Sequence, residues 1–303
     1  MNKFISTPLI TVLLLAFLLT ACDDSQTVFD PNEEEQTIVD VAASNDDFSI
    51  LVDAVVQAGL DGALSSSGPF TVFAPTNSAF EALPAGLLES LTDQQLSEIL
   101  QYHVLSVEVL SNQLEAEQSV ASLTGENIFV TTNSNGVTIN NAATVITADI
   151  EASNGVIHAI DRVILPDGFG DVVDNASKRY FLDTLVETVA AMDLVGTLQG
   201  EGPWTVFAPT NEAFDAISDV IPTLTPEQIT DILLYHVLPT RALSTDLTPG
   251  DQTITAANGD PVTVNLFGDT VTVNGTATVQ IANINGTNGV IHVIDSVLLP
   301  PSE

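Results

Sequence analysis

Apolar residues recur along this chain in two rhythms. Leu51, Ala54, Val55 and Ala58 stand at i, i+3, i+4 and i+7, the spacing that gathers side chains on one face of a helix. Leu185, Thr188, Val189 and Met192 repeat it with one polar lapse. A second stripe, Leu96, Ile99, Leu100, His103 and Val104, has its copy in Ile229, Ile232, Leu233, His236 and Val237. That stripe turns His103 and His236 inward with its apolar members. Thr92 with Gln95, and Thr225 with Gln228, form capping boxes that start this helix, and Pro226 suits its first position. Residues 70–73 and 204–207 read as short strands that end at Pro75 and Pro209. Thr76-Asn77 and Thr210-Asn211 then supply caps for another helix.

Further on the rhythm changes to β. Residues 128–132 and 137–140 flank Asn135-Gly136, a tight-hairpin pair, and residues 262–266 and 271–274 flank Gly268-Asp269. Long apolar runs close each half, at 156–165 and 290–299. Helices first and strands later predict an α+β fold rather than a doubly wound sheet.

The two halves are one unit written twice. GPFTVFAPTNSAF at 68–80 returns as GPWTVFAPTNEAF at 202–214, an offset of 134. ILQYHVL at 99–105 returns as ILLYHVL at 232–238, an offset of 133, and NGVIHAIDRVILP at 154–166 returns as NGVIHVIDSVLLP at 288–300. Three motifs in one order at one spacing mean duplicated domains. The seam falls near residues 166–170, and so short a linker predicts that the two units touch.

These motifs (TVFAPTN-x-AF, YHVL and NGVIH-x-ID-x-V-x-LP) resemble the fasciclin-domain family, over residues 37–167 and 168–303. The resemblance implies two tandem domains, each a β-sandwich-like wedge with helices packed on one side. It also implies extracellular adhesion or attachment without catalysis. In some animal members the Tyr-His region contacts integrins; Tyr102-His103 and Tyr235-His236 match that dipeptide, as an interaction motif or a structural one. Some members bind carotenoids, so a binder of an apolar small molecule such as a carotenoid or lipid is the alternative reading.

Residues 1–21 carry Lys3 as their sole charge and an apolar stretch from Leu9 to Ala21. Thirteen residues are too few to span a hydrocarbon core of about 30 Å but suit a signal peptide. The string Leu19-Thr20-Ala21-Cys22 looks like a bacterial lipobox, and Cys22 is the only cysteine in the chain. We expect cleavage before Cys22 and its acylation, giving a stable anchor in the membrane. Residues 22–36 read as an acidic, self-repelling tether. Asp23-Asp24 resembles two conflicting sorting signals, one for the cell surface and one for inner-membrane retention. We expect a lipid-anchored protein of the cell envelope, at the outer membrane or cell surface.

Of the 303 residues 40 are acidic and 5 basic, for a formal charge of −35. No such body can neutralise a phosphate backbone, so nucleic-acid binding is excluded. Charged residues make up 15%, below the roughly 25% of an average domain, so Thr, Asn and Ser carry much of the polar surface. The expected partners are extracellular or envelope proteins or polysaccharides, with self-association bridged by divalent cations. Catalysis has no candidate residues: there is no G-x-S-x-G and no H-E-x-x-H. The four histidines, His103, His158, His236 and His292, are repeat-paired. A helix histidine could meet a closing-strand histidine at a metal, but no short ligand spacing supports it. Histidines bonded to backbone are the favoured reading, and no metal or cofactor is expected. Asp161 and Asp295 read as holders of backbone amides. Asn274-Gly275-Thr276 and Asn285-Gly286-Thr287 match a glycosylation pattern but read better as turns.

Overall fold

Thr37 opens the first helix with a capping box, its side chain accepting from Asp40 N while Asp40 reaches back to the Thr37 amide. The computed structural model describes residues 35–301; Cys22, the 1–21 segment and residues 22–34 of the acidic tether lie outside them. The helical part of the first repeat holds α1 (Ile38–Ala43), α2 (Ser49–Gln57) and α3 (Asp61–Leu64). After β1 (Phe70–Pro75) come α4 (Asn77–Glu81), α5 (Leu87–Ser90) and α6 (Asp93–Tyr102). Strands follow: β2 (Val104–Leu105), β3 (Glu117–Ala121), β4 (Asn127–Asn133), β5 (Gly136–Ile139), β6 (Ala143–Ala152) and β7 (Gly155–Ile160). The second repeat runs α7 (Val172–Ser177), α8 (Asp183–Ala191), α9 (Val195–Leu198), β8 (Trp204–Pro209), α10 (Asn211–Asp215), α11 (Pro226–Tyr235) and β9 (Val237–Leu238). It ends with β10 (Gly250–Thr255), β11 (Pro261–Phe267), β12 (Thr270–Val273), β13 (Ala277–Asn285) and β14 (Gly289–Ile294).

The capping boxes at Thr92 and Thr225 start α6 and α11 as the sequence predicts, with Pro226 in the first turn. Each repeat forms one seven-stranded sheet, in the order β2-β1-β7-β6-β5-β4-β3 and its copy. A bridge between Leu105 and Ser122, with Leu123 N donating to Val104 O at 2.8 Å, joins the two ends of the first sheet into a barrel-like roll. The early strand β1 lies parallel to the last strand β7, from Phe70 opposite Gly155 to Pro75 opposite Ile160. A Cβ at Gly155 would stand 2.0 Å from Phe70 O, which requires glycine at that place in the NGVIH motif.

The closing strands are shorter than the predicted 156–165 and 290–299. β7 stops at Ile160 because Asp161 takes Thr144 N at 2.6 Å, and Ile164 N donates to a side chain, His103 Nε2, at 3.1 Å. Asp295 likewise takes Thr278 N at 2.8 Å, and Leu298 N donates to His236 Nε2 at 2.9 Å.

Every repeat has two cores. In the first, Phe48, Leu51, Val55, Leu96 and Leu100 pack from the helices onto one face of the sheet. Phe73, Tyr102, Ile128, Val130, Ile139 and Ile160 fill the inside of the roll. The second repeat divides the same way. None of these four clusters mixes residues from the two repeats.

Candidate functional site

The Tyr-His dipeptides end α6 and α11, and both are buried: Tyr102 is 1% exposed, His103 2%, Tyr235 2% and His236 3%. Tyr102 Oη donates to Asn127 O at 3.0 Å and accepts from Asn140 Nδ2 at 3.0 Å. Asn140 in turn accepts from Phe129 N at 2.9 Å. The second repeat builds the same strut: Tyr235 Oη on Pro261 O, Asn274 Nδ2 on Tyr235 Oη, and Thr263 N on Asn274 Oδ1. Asn140 and Asn274 both adopt positive φ, at 53° and 51°, a conformation that asparagine tolerates better than most residues. Burial pushes the Tyr102 hydroxyl well above its ordinary range.

The histidine rings are fixed by backbone at both nitrogens. His103 Nδ1 lies 2.7 Å from Ile99 O, and a carbonyl can only accept, so Nδ1 carries the proton. Nε2 therefore accepts from Ile164 N. His236 does the same between Ile232 O and Leu298 N. A second proton would point at an N–H donor in a buried site. Burial depresses both rings, to about 4, against a smaller opposing effect of the bonded carbonyl.

His158 and His292 use the other tautomer. Nε2 faces Val109 O or Ala242 O at 2.8 Å, and Nδ1 accepts from Asp149 N or Asn283 N. Each ties the loop after its Tyr-His motif to the bulged strand β6 or β13. Asp149 strengthens the tie by accepting from Ser111 N at 2.9 Å and from Ser111 Oγ. The helix and strand histidines thus serve separate backbone partners. Among the described residues, no three His, Cys, Asp or Glu side chains gather where they could hold a metal.

The remaining motif polar groups are also engaged inside the fold. Asn154 Oδ1 accepts from Ile38 N at 2.9 Å, while Nδ2 donates to Leu64 O and Ser66 O. Asn288 repeats this with Val172 N, Leu198 O and Gly200 O. Asn77 takes Ile50 N and gives to Asp46 O and Ser49 Oγ. Of the two N-x-T sequons, Asn274 is held by Tyr235 and Thr263, and Asn285 Oδ1 accepts from Arg241 at 2.8 Å.

The two repeats touch, as the short linker predicts, but sequence reasoning named none of the residues that meet there. Phe129 of β4 is 5% exposed. It meets Tyr180 and Phe181 edge-on, at 6.1 and 5.7 Å between centroids, and the Arg179 guanidinium lies 5.1 Å from its ring centre. Asp167 binds Lys178 Nζ at 3.2 Å and Arg179 Nη2 at 2.6 Å, and its backbone N donates to Glu126 Oε2 at 2.9 Å. Asn141 Nδ2 donates to Asp183 at 2.9 Å. Lys178 and Arg179 are themselves buried, and burial lowers the Lys178 ammonium against the pull of Asp167. The signal lay in the differences between copies. Where the second repeat has Lys178-Arg179-Tyr180-Phe181, the first has Ser44-Asn45-Asp46-Asp47.

Small apolar cavities lie between helices and sheet. One of about 40 Å³ is lined by Val172, Ala176, Val189, Leu198, Val206 and His236. Its counterpart of about 30 Å³ is lined by residues including Ile38, Val55, Val72 and His103. Among the described residues, no helix is long and apolar enough to cross a membrane.

A family model described as Fasciclin domain matches residues 46–166 and 181–300. Transforming growth factor-beta-induced protein ig-h3 of Sus scrofa is 33% identical over 250 residues, covering 79% of this chain and 36% of that protein. The chain thus spans about a third of the length of that relative. Protein sll1483 of Synechocystis is 52% identical over 138 residues, 44% of this chain and 76% of that one. Among solved structures, a FAS1 domain pair from the insect cell adhesion molecule fasciclin I has the same fold. It matches at a TM-score of 0.59 and 17% identity, covering 84% of this chain and 98% of that one.

Proposed function

The chain belongs to the fasciclin domain family, with two such domains in tandem, and we propose that it is a lipid-anchored, non-catalytic adhesion or interaction protein of the cell envelope. One observation carries the reading. Tyr102, His103, Asn154, His158 and their copies are all engaged in internal hydrogen bonds. The motif residues build the scaffold, and the exterior is what remains to meet partners. We place the domains at residues 37–167 and 168–303, in keeping with their separate cores. Cys22 carries the lipid, residues 22–36 hold the domains off the membrane, and the protein sits at the outer membrane or cell surface. Its partners are extracellular or envelope proteins or polysaccharides. Divalent cations bridging carboxylates would let copies of so acidic a body approach one another.

The test uses cells making the natural protein, a Cys22→Ser form, or none. Cys22→Ser should lose radioactive fatty-acid labelling and accumulate as precursor; labelling that persists rejects the anchor. Attachment of cells to matrix-coated or polysaccharide-coated surfaces should fall when the protein is deleted. Attachment that does not change rejects the adhesion role.

The alternative, a binder of a carotenoid or lipid, has in its favour an apolar cavity at the same place in both domains. Ligand pockets usually enclose about 300–1,000 Å³, so α7 and α8 would have to move outward to admit one. A lipid or pigment extracted in stoichiometric amount from the purified protein would favour this reading.

A further inference from the structure

Asparagine precedes glycine six times in the chain, at residues 135, 154, 258, 274, 285 and 288, and the fold treats the six differently. We propose that Asn135 is a site of self-modification, passing through a cyclic imide to aspartate and isoaspartate, and that folding protects the other five.

The reaction needs only the chain and water. The backbone nitrogen of the glycine attacks the asparagine Cγ, the new N–Cγ bond forms and the Cγ–Nδ2 bond breaks. Nδ2 leaves as ammonia, carrying off the proton of the attacking nitrogen. Water then opens the imide at either carbonyl. Addition at the side-chain carbonyl leaves aspartate; addition at the backbone carbonyl leaves isoaspartate, with the chain running on through the side chain. Glycine suits this step because it has no Cβ to shield its nitrogen. The structure must meet two conditions: space around the glycine, and a side-chain amide free to turn onto it.

Three of the glycines are shut in. A Cβ built on Gly155, Gly286 or Gly289 would stand 2.0, 3.0 or 2.4 Å from a backbone oxygen, and all three residues are buried. Around Gly136, Gly259 and Gly275 nothing lies within 4 Å of that position. Two of these open glycines follow a pinned asparagine. Asn258 Nδ2 donates to Asp231 Oδ1 at 3.1 Å and to Asp260 Oδ2 at 2.9 Å, and its Oδ1 accepts from Asp260 N at 3.0 Å. The Gly259 amide is itself engaged, by Ala256 O at 3.0 Å. Asn274 is held between Tyr235 and Thr263. Asn135 alone meets both conditions. It is exposed, as is Gly136. Its backbone N donates to Asn133 Oδ1 at 2.8 Å, but its side chain has no hydrogen-bond partner among the described residues. Each bond that must break before an amide can swing slows the reaction roughly tenfold.

The second domain shows which product the turn accommodates. Ser134 and Asn135 join β4 to β5, with Asn133 paired to Gly136. In the second domain Gly268 and Asp269 join β11 to β12, with Phe267 paired to Thr270. An aspartate therefore already stands at the place of Asn135, and the aspartate product fits with one added negative charge. Isoaspartate adds a methylene to the backbone of a two-residue turn, and turn length sets the register of a hairpin. Pairing of Asn133 with Gly136 must loosen in that form.

The test follows all six asparagines in the full chain, folded and in concentrated urea, by peptic digestion and mass spectrometry with isoaspartate quantified. In the folded chain Asn135 should convert roughly tenfold or more faster than any of the others, while in urea the six should come within severalfold of one another. Conversion should quicken from about pH 7 to about pH 9, since the attacking nitrogen must shed its proton. Asn135→Gln, which would need a larger ring, should fold normally and keep its mass. Asn135 that stays intact in the folded chain while reacting in urea overturns the proposal. So does any of the other five keeping pace with it in the folded chain, or conversion at 135 without isoaspartate, which would exclude the imide. The adhesion reading is independent of these outcomes and stands or falls on the deletion experiment.

Discussion

Asn140 Nδ2 reaches Tyr102 Oη at 3.0 Å across 38 residues of chain. The same asparagine takes the amide of Phe129, and Phe129 is the ring on which Arg179, Tyr180 and Phe181 of the second domain rest. The Tyr-His motif of the first domain therefore lies beneath the inter-domain contact, one hydrogen bond removed from the strand that makes it. A buried tyrosine can in this way change what a surface does without being part of that surface.

Tyr102→Phe removes the hydroxyl and leaves Asn127 O without its donor and Asn140 Nδ2 without its acceptor. The expected cost is about 1–3 kcal/mol. Tyr235→Phe should cost a similar amount. Only Tyr102→Phe should also speed hydrogen exchange at Tyr180 and Phe181. Equal exchange at those amides in both variants would show that the strut does not reach the junction.

Acid should destabilise the protein through His103 and His236. An unfolded imidazole titrates near 6.5 and the folded ones at about 4. Between those values the unfolded chain binds the extra proton, so stability is full near neutrality and falls as pH drops. Each ring accounts for roughly 3 kcal/mol by pH 4. Urea midpoints from pH 7 to about 5.5 read this effect together with that of His292, whose ring burial also depresses, because ordinary carboxylates remain mostly ionised there. A flat profile across that window would refute it.

Asp167 stands against two buried cations. Asp167→Asn leaves Lys178 and Arg179 without their counter-charge, and the expected loss is about 3–5 kcal/mol. The melting of the second domain should drop, and amides from Phe169 to Leu182 should exchange faster. The first domain's own core contains neither cation, so its transition should move less. A variant as stable as the natural chain would show the pairs to be no better than solvated ones.

Asn154→Ala cuts the link between the start of α1 and the end of α3. It removes an acceptor from Ile38 N and a donor from Leu64 O and Ser66 O. About 2–4 kcal/mol should be lost, and Asn288→Ala should cost the second domain the same. Aspartate at 154 keeps the acceptor but not the donor, so it should recover only part of the loss. Full recovery would mean that the two donated bonds contribute nothing.

Much of the fold was legible in local sequence. Thr92 with Gln95, and Thr225 with Gln228, start their helices where the pattern placed them, because a capping box closes within four residues. The inward turn of His103 followed from a helical stripe, since 3.6 residues per turn fixes which side chains share a face. The duplication announced two tandem domains, and the family model matches twice, at residues 46–166 and 181–300. The resemblance brought in the family, a likeness of motifs that periodicity alone could not supply.

What the sequence could not determine was the meeting of distant groups. No local rule sets β1 parallel to β7 across more than 80 residues, and none names Ile164 N as the partner of His103. Burial left those donors and acceptors needing partners, and only the closed sheet and packed helices decided which were within reach. The junction is the clearest case. Lys178 and Arg179 are two bases in a chain of 40 acids, and any of those acids could have answered them. The fold brings Asp167 to them and sets Phe129 under the guanidinium, groups that the other copy replaces by Pro301 and Thr263.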